Sequence, residues 1–442
     1  MTTAEFIQSN RTADVHQLAL AASRYAGIDM PYALTQIDAW QRARTKLPLW
    51  AATEGIVFPQ SLPMEQCSSQ VAAEYKARVW QGLPHSQEPE TTMTDLTAGF
   101  GVDATMLGRC FSQLTLVEQN TELCSLARNN LPLLGIKAAN IINTTCEEAI
   151  HTLPHQKLIF IDPARRDSNG RKTVLLSDCS PDITMLQDTL LERADYVMAK
   201  LSPMLDVTSV VRSLSHIIAI HIVSVGGECK EIIAVMSRKY ESEPMLYCVN
   251  LPAATDGWHS TTDCQHSTTD CQSSLTTDEN TDIFSLPLAE LSGRESSLSA
   301  TTTHLSDHLS FLPNHDNASD SPVCYLYEPN ASVMKAGVFA QIAIRYGIHQ
   351  LHPNSHLYVS DAYIDRFPGR RFILTDICSL GKTDQKRLQQ LGKANIAVRN
   401  FPLSVAQLRQ RLHLSDGGST YIFATTLAPD NKKVLLICRK PH

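Results

Sequence analysis

A chain of 442 residues is longer than one ordinary domain, so two to four folding units are expected. Its 43% hydrophobic content can fill real cores, no apolar run is long enough to span a bilayer, and the polar start MTTAEFIQSNRTADVHQ lacks the charged-then-apolar pattern of a secretory leader. The net charge of −7 conceals an asymmetry, because residues 321–442 hold 16 Lys and Arg against 7 acids while residues 252–320 hold 1 Arg against 11 acids. A basic terminal unit on an acidic protein points to a polyanionic partner and not to a membrane. The twelve cysteines are scattered without a C-x-x-C pair, so reduced thiols in a cytoplasmic protein are expected, with no metal.

Residues 1–90 read as a helical region. HQLALAASRYAG, YALTQIDAWQRARTKLPLWAA and SSQVAAEYKARVWQGL carry apolar residues at i, i+3, i+4 spacing, and GLPHSQEPETT then breaks the pattern. Residues 91–251 alternate strands with helices. MTDLTA is a short strand, a helix follows from about Asp103 to Phe111, QLTLVEQ is a second strand, and NTELCSLARNNLPLLG is a helix ending at Gly135. NIINTT and KLIFID are further strands flanking the helix CEEAIHTL, DITMLQDTLLERA is helical, YVMAKLS is a strand and DVTSVVRSLS a helix. IIAIHIVSV and EIIAVMSR, joined by a Gly-containing turn, close the unit as a hairpin that would add one antiparallel strand at the edge. The predicted fold class is α/β, a Rossmann-like doubly wound parallel sheet with right-handed crossovers.

Residues 252–320 read as a flexible acidic insertion, and their tandem HSTTDCQHSTTDCQ is a duplicated linker and not a metal site. Order returns with the strand VCYLYEP, a helix SVMKAGVFAQIAIRYG capped by Ser332 and closed by Gly347, the strands HLYVSD and RRFILTDI, the helix KTDQKRLQQLG, the strand NIAVRNFP, the helix SVAQLRQRL, and a closing antiparallel pair. This composition predicts small α+β modules, with a division into 321–375 and 376–442.

The chemistry is concentrated at strand ends. In TDLTAGFGVDATMLGRC, Gly99, Gly101 and Ala104 fit the G-x-G-x-x-G/A spacing of a loop that approaches a nucleoside cofactor closely. A dinucleotide would bring a doubly charged pyrophosphate to that loop, and the Asp103 carboxylate would repel it at a cost of about 1 kcal/mol or more. S-adenosylmethionine brings instead an ammonium and a sulfonium, which Asp95 can accept, and one carboxylate for the helix N-terminal amides. Glu118 ends the second strand, where its two oxygens suit two ribose hydroxyls. Asp162-Pro163 ends the fourth strand, where Pro stops the strand and leaves the carboxylate above the sheet.

DLTAGFG, VEQN and FIDPAR resemble three ordered motifs of class I S-adenosylmethionine-dependent methyltransferases. LPMEQCSSQVAAEYKA, YVMAKLSPMLD, YLYEPNASVMKAG, FPGRRF and KANIAVRNFPLSVAQLRQRL make the chain similar to bacterial members with a C-terminal THUMP-like domain preceded by a ferredoxin-like segment. The resemblance implies that Asp95, Thr97, Ala98, Gly99, Gly101 and Asp103 surround the methionine part of the cofactor, with help from residues 65–69. It further implies Glu118 and Gln119 at the ribose, and Cys146 and Glu147 at the adenine, where an Asp is frequent in the family. Asp162, Pro163 and Arg165 would be catalytic. They replace the Asp/Asn-Pro-Pro-aromatic tetrad of base-amine methyltransferases, and also resemble the tetrad of RNA uracil-C5 methyltransferases, which require a nucleophilic Cys; Cys179 is the only cysteine shortly downstream. The acceptor atom therefore stays open, with an amine nitrogen favoured. The THUMP-like resemblance implies structured RNA, tRNA or rRNA, as substrate, with Arg370, Arg371, Lys393, Arg399, Arg409 and Arg411 on a phosphate-tracking face. A protein or small-molecule methyltransferase, or a non-catalytic RNA-binding protein with a relic cofactor fold, are the alternatives.

Overall fold

The computed structural model describes residues 1–84, 91–165, 175–253, 281–292 and 323–441. The chain divides into two compact units, Met1–Thr281 and Asp282–His442.

In the first unit the helices Thr3–Asn10, Val15–Leu20 and Met30–Lys46 gather Phe6, Leu18, Met30, Ala33 and Ile37 into a small core. Pro48 ends the long expected helix and starts Pro48–Ala52, occupying a first-turn position where its missing N–H is no loss. A second cluster joins Ala43, Leu47, Trp50 and Phe58 to Phe100, Val102 and Met106 of the glycine loop and the helix after it. The third and fourth helices therefore share a core with the glycine loop and the helix that follows it. Helix Gln70–Gln81 is buried on nearly every side and packs on helix Val102–Gly108.

The strands of this unit are β1 (Thr92–Asp95), β2 (Gln113–Val117), β3 (Ala139–Ile142), β4 (Gln156–Ile161), the two-residue β5 (Ala164–Arg165) and β6 (Cys179–Ser180), β7 (Ala194–Leu201), β8 (Ile217–Val225), β9 (Glu228–Met236) and β10 (Met245–Leu251). They order as β3-β2-β1-β4-β7-β9-β8-β10, with β5 and β6 paired apart. From β3 to β7 all neighbours are parallel, and β9 is antiparallel to both β7 and β8. The antiparallel strand thus sits inside the sheet and not at its edge. The last six residues of β9 are all buried, as in a strand covered on both faces, and its edges pair with β7 and β8. β10, parallel to β8, extends the sheet beyond what the sequence pattern predicted.

The second unit opens with β11 (Asp282–Pro287) and a 3-10 turn, Leu288–Ser292, so this part of the expected linker is ordered. Phe284 and Leu286 alternate inward, and the Arg345 guanidinium lies 4.5 Å from the Phe284 ring centroid. The rest of the expected insertion, including the HSTTDCQ repeat, lies outside the described residues. β12 (Cys324–Pro329), β13 (His349–Gln350), β14 (Tyr358–Ser360), β15 (Gly369–Cys378), β16 (Asn395–Arg399), β17 (Thr420–Leu427) and β18 (Lys432–Arg439) form one sheet in the order β13-β14-β12-β15-β18-β17-β16. β15 runs through residue 375, so both expected modules share this sheet. The single helix expected over 332–346 is two, Ala331–Ala336 and Phe339–Tyr346, because Gly337 takes a left-handed φ of 68°. Ser332 is buried inside the first of these and caps nothing.

Candidate active site

Parallel register brings the carboxyl ends of β1, β2, β4 and β7 to one edge of the sheet. Asp95 pairs with Leu116 on one side and Phe160 on the other, so Glu118 and Asp162 each emerge two residues past the flanking partner. A cavity of about 270 Å³ opens there. All ten residues expected at the cofactor line it, namely Asp95, Thr97, Ala98, Gly99, Gly101, Asp103, Glu118, Gln119, Cys146 and Glu147, and Asp162 joins them. Gln66 and Cys67 of the upstream segment line it too, whereas Glu65 points out to Arg42 at 2.9 Å.

The loop between β1 and its helix is built by backbone conformation. Gly99 and Gly101 take φ of 55° and 80°, a region that costs a side-chain-bearing residue about 1–2 kcal/mol. Their amides are used internally, since Gly99 N donates to Glu118 Oε2 at 2.8 Å and Gly101 N to the Ala98 carbonyl at 2.8 Å. The other Glu118 oxygen accepts from Asn120 N at 2.7 Å. A carboxylate offers about four lone-pair sites, so Glu118 is fixed by two protein donors and retains capacity for two more. Thr97 ties the first loop to the fourth strand, its Oγ1 accepting from Asp162 N at 2.7 Å.

Asp95 is 1% exposed and accepts from Thr97 N at 2.9 Å. Burial, with Asp103, Asp162 and Glu118 nearby, pushes its carboxyl well above the ordinary carboxylate range despite that hydrogen bond. A site that makes its deepest carboxylate reluctant to ionise is one that a cation would relieve. Asp103 has a different role from the one its position in the loop implied. Its carboxylate meets Lys76 Nζ at 2.9 Å and accepts from Ser68 Oγ at 2.8 Å. Lys76 is 0% exposed and also reaches Glu231 on β9 at 2.7 Å. Burial disfavours charge on both acids; Lys76, Lys200 and Ser68 nevertheless hold Asp103 below its ordinary value, while Glu231 is raised. Asp103 therefore carries the negative charge opposite Lys76 and forms the cavity wall, with its charge already matched from behind.

Asp162 is ion-paired to Lys200 near the end of β7. Burial works against the ammonium, but Asp162, Asp103 and Glu231 together raise the Lys200 pKa, so the lysine stays charged. Pro163 is buried, and the Arg165 backbone pairs with Cys179 in the small β5–β6 ladder; the Arg165 side chain lies outside the described residues. Cys179 is 2% exposed, while its neighbours Ser180 and Pro181 line the cavity. The thiol is covered where a nucleophile would have to be open. Cys146 lines the expected adenine end as a neutral thiol, pushed up to about 12 by burial and by the Glu147 and Asp95 carboxylates. Among the described residues no group of acids, His and Cys is placed to hold a metal ion, and no helix is long and apolar enough to cross a membrane.

In the second unit most of the expected phosphate-tracking arginines have internal partners. Arg370 and Arg399 both grip Glu328, a carboxylate 5% exposed, with the Arg399 contact at 2.6 Å. Arg371 reaches Asp365 at 3.3 Å, and Arg409 pairs with Asp416. Lys393 and Arg411 are exposed. The strand and helix spacing that presents these residues was legible; the acids that pair them were not, and Glu328 is also distant in sequence.

Residues 325–368 match the profile of a ferredoxin-like domain, and residues 369–440 that of a THUMP domain-like family. Across its whole length the chain is similar to a crystal structure from Porphyromonas gingivalis W83 assigned as a methyltransferase, at 31% identity and a TM-score of 0.74, covering 100% of this chain and 98% of that one. The chain belongs to the S-adenosylmethionine-dependent methyltransferases. Two uncharacterised S-adenosylmethionine-dependent methyltransferases of Mycobacterium tuberculosis, from strains CDC 1551 / Oshkosh and ATCC 25618 / H37Rv, are each 23% identical over 359 residues, 79% of this chain and 79% of the relative.

The methyltransferase site contains three charged residues that pattern reading passed over: Lys76, Lys200 and Glu231. Lys200 and Glu231 each sit in an otherwise apolar run, YVMAKLS and EIIAVM, while Lys76 lies between Glu74 and Arg78 in VAAEYKARVW. A lone charge in a segment buried on all sides is itself a signal, because it demands a partner nearby.

Proposed function

We propose that this methyltransferase transfers a methyl group from S-adenosylmethionine to an exocyclic amine of a base in structured RNA, tRNA or rRNA, in the cytoplasm. The observation that carries the reading is the convergence of Asp95, Glu118 and Asp162, from three adjacent strand ends, on one cavity behind a left-handed glycine loop. The donor set fits the cofactor. Asp95 is the one deeply buried acid of the cavity wall for which no lysine ion pair is found among the described residues, and it suits an ammonium. Glu118 retains acceptor capacity for the two ribose hydroxyls. Gln119 lies beside Glu118 at the ribose, and Cys146 and Glu147 flank the adenine.

When bound, S-adenosylmethionine supplies a methyl carbon on a sulfonium whose departure needs little acid catalysis. The protein's task is therefore positioning in a water-poor cleft. Asp162 accepts a hydrogen bond from the incoming N–H and turns the nitrogen lone pair to the methyl side. Pro163 fixes the backbone that carries it, and Arg165 lies two residues further along the same rim. A buried Cys179 does not support the uracil-C5 chemistry, which favours the amine acceptor.

RNA as substrate is supported by the excess of 16 basic over 7 acidic residues in 321–442 and by the THUMP domain-like match. The internal pairing of Arg370, Arg371, Arg399 and Arg409 favours a second reading, in which the terminal unit is an assembly module and the acceptor is a protein or small molecule. Nucleoside mass spectrometry of RNA from cells with and without the protein decides between them. The proposed function requires a methylated nucleoside that disappears with the protein and returns with wild type but not with Asp162→Ala. An unchanged nucleoside inventory refutes it.

A further inference from the structure

We propose that Lys200 is a positioning residue of the methyl-transfer centre: by occupying one oxygen of Asp162 it leaves the other as a lone acceptor turned to the cleft, and so selects an acceptor group that carries a polar hydrogen. The inference rests on the function proposed above and adds to it a residue and a rule for the substrate atom.

The geometry is specific. Lys200 comes from β7, immediately beside β4, and its side chain is 12% exposed against 33% for Asp162. The ammonium thus lies on the buried side of the pair and the carboxylate on the open side. Asp162 lines the cavity, and Lys200 is not among the described lining residues. The other end of Asp162 is held too, because its backbone N–H donates to Thr97 Oγ1 at 2.7 Å. With backbone and one oxygen fixed, the remaining oxygen has little freedom in where it points. A carboxylate so held accepts hydrogen bonds and donates none. A ring carbon offers it no polar hydrogen, and a carbonyl oxygen would face it lone pair to lone pair; an N–H or O–H donor meets it, and the exocyclic amine of the proposed function is such a donor. As the nitrogen lone pair bonds to the methyl carbon, the carbon–sulfur pair returns to sulfur. The nitrogen becomes cationic, and its proton leaves through Asp162 to water.

A merely structural lysine would act differently. The charged and titratable groups around the pair are Asp95 on β1, Asp103 in the helix after the glycine loop, Glu231 on β9, Lys76 in helix Gln70–Gln81, and Lys46 and Cys67 upstream. Acids dominate the side facing Asp162. Removing the Lys200 charge leaves Asp162 facing Asp95 and Asp103 without its cation, and its cleft-facing oxygen is no longer fixed.

The test uses full-length protein, radiolabelled S-adenosylmethionine, and RNA purified from cells lacking the protein, assayed from mildly acid to mildly alkaline pH. K200M is expected to lower kcat at neutral pH at least about tenfold, with the KM for the cofactor unchanged. K200R, which keeps the charge on a different arm, should recover part of that kcat. If K200M does not fold, K200Q and K200R carry the comparison. A K200M enzyme with wild-type kcat, or one whose loss falls on the cofactor KM and is not eased in K200R, overturns the role of Lys200 while leaving RNA methylation standing. No transfer by wild type to that RNA overturns the functional reading and this inference with it.

Discussion

Replacing Asp95 with Asn removes one charge from the deepest point of the cleft and changes almost no volume. Asp95 is 1% exposed, and it sits among Asp103, Asp162 and Glu118, which disfavour its ionised form. The cofactor ammonium is expected to restore that ionisation, replacing a strained acid with a charge-assisted hydrogen bond of about 1.5–3 kcal/mol. At about 1.4 kcal/mol per decade, D95N should weaken binding roughly 10- to 150-fold. A pH dependence follows from the same geometry. Free Asp95 has a raised pKa, and a bound cation lowers it, so binding releases a proton and wild-type affinity should rise with pH until free Asp95 is fully ionised. D95N should lack that limb. Calorimetric titration of S-adenosylmethionine in two buffers of different ionisation heat reads both quantities, below the point near pH 8 where the ligand's own amine begins to lose its proton. Equal affinities for wild type and D95N, or proton uptake by wild type on binding, would refute the reasoning.

Three further outcomes test separate parts of the structure. Gly101→Ala forces a side chain into φ 80° and should cost about 1–2 kcal/mol, visible as a Tm lowered by several degrees; an unchanged Tm would show that the loop does not need that conformation. Lys76→Met leaves Asp103 and Glu231 buried without their shared cation and should destabilise the first unit by about 3–5 kcal/mol in urea unfolding, and Lys76→Arg should recover part of that loss; equal losses for the two variants would count against the bridge. In RNA binding, Lys393→Ala and Arg411→Ala should each reduce the salt slope by about one and leave thermal stability intact. Arg370→Ala, which breaks the grip on Glu328, should mainly lower stability, and the reverse pattern would mean the internal pairs give way to phosphate.

The difference between what was legible and what was not follows the range of the interactions. Alternating runs such as KLIFI and the Gly99–Gly101 spacing are local, and they placed the sheet, the loop and every expected cofactor residue at one edge. The insertion of β9 between β7 and β8 depends on its pairing with β7 as well as β8, which a hairpin reading of IIAIHIVSV and EIIAVMSR cannot supply. Asp103 shows the same limit inside the site. It lies in the first turn of the helix after the loop, but its partner Lys76 belongs to a helix that precedes β1, and that ion pair decides whether the carboxylate serves the ligand or the wall. Glu328 repeats the lesson in the second unit, where a single buried acid ties down two arginines from β15 and the end of β16.

The central claim is that a cationic methionine end sits against Asp95 with the ribose on Glu118. A crystal structure of the protein with S-adenosylhomocysteine, which keeps the ammonium and the ribose of the methyl donor, tests this most directly. The ligand's amine should then lie within hydrogen-bond distance of Asp95, with its two ribose hydroxyls on Glu118. A ligand bound in reverse, or bound away from the glycine loop while the cleft stays closed by protein side chains, would contradict the claim.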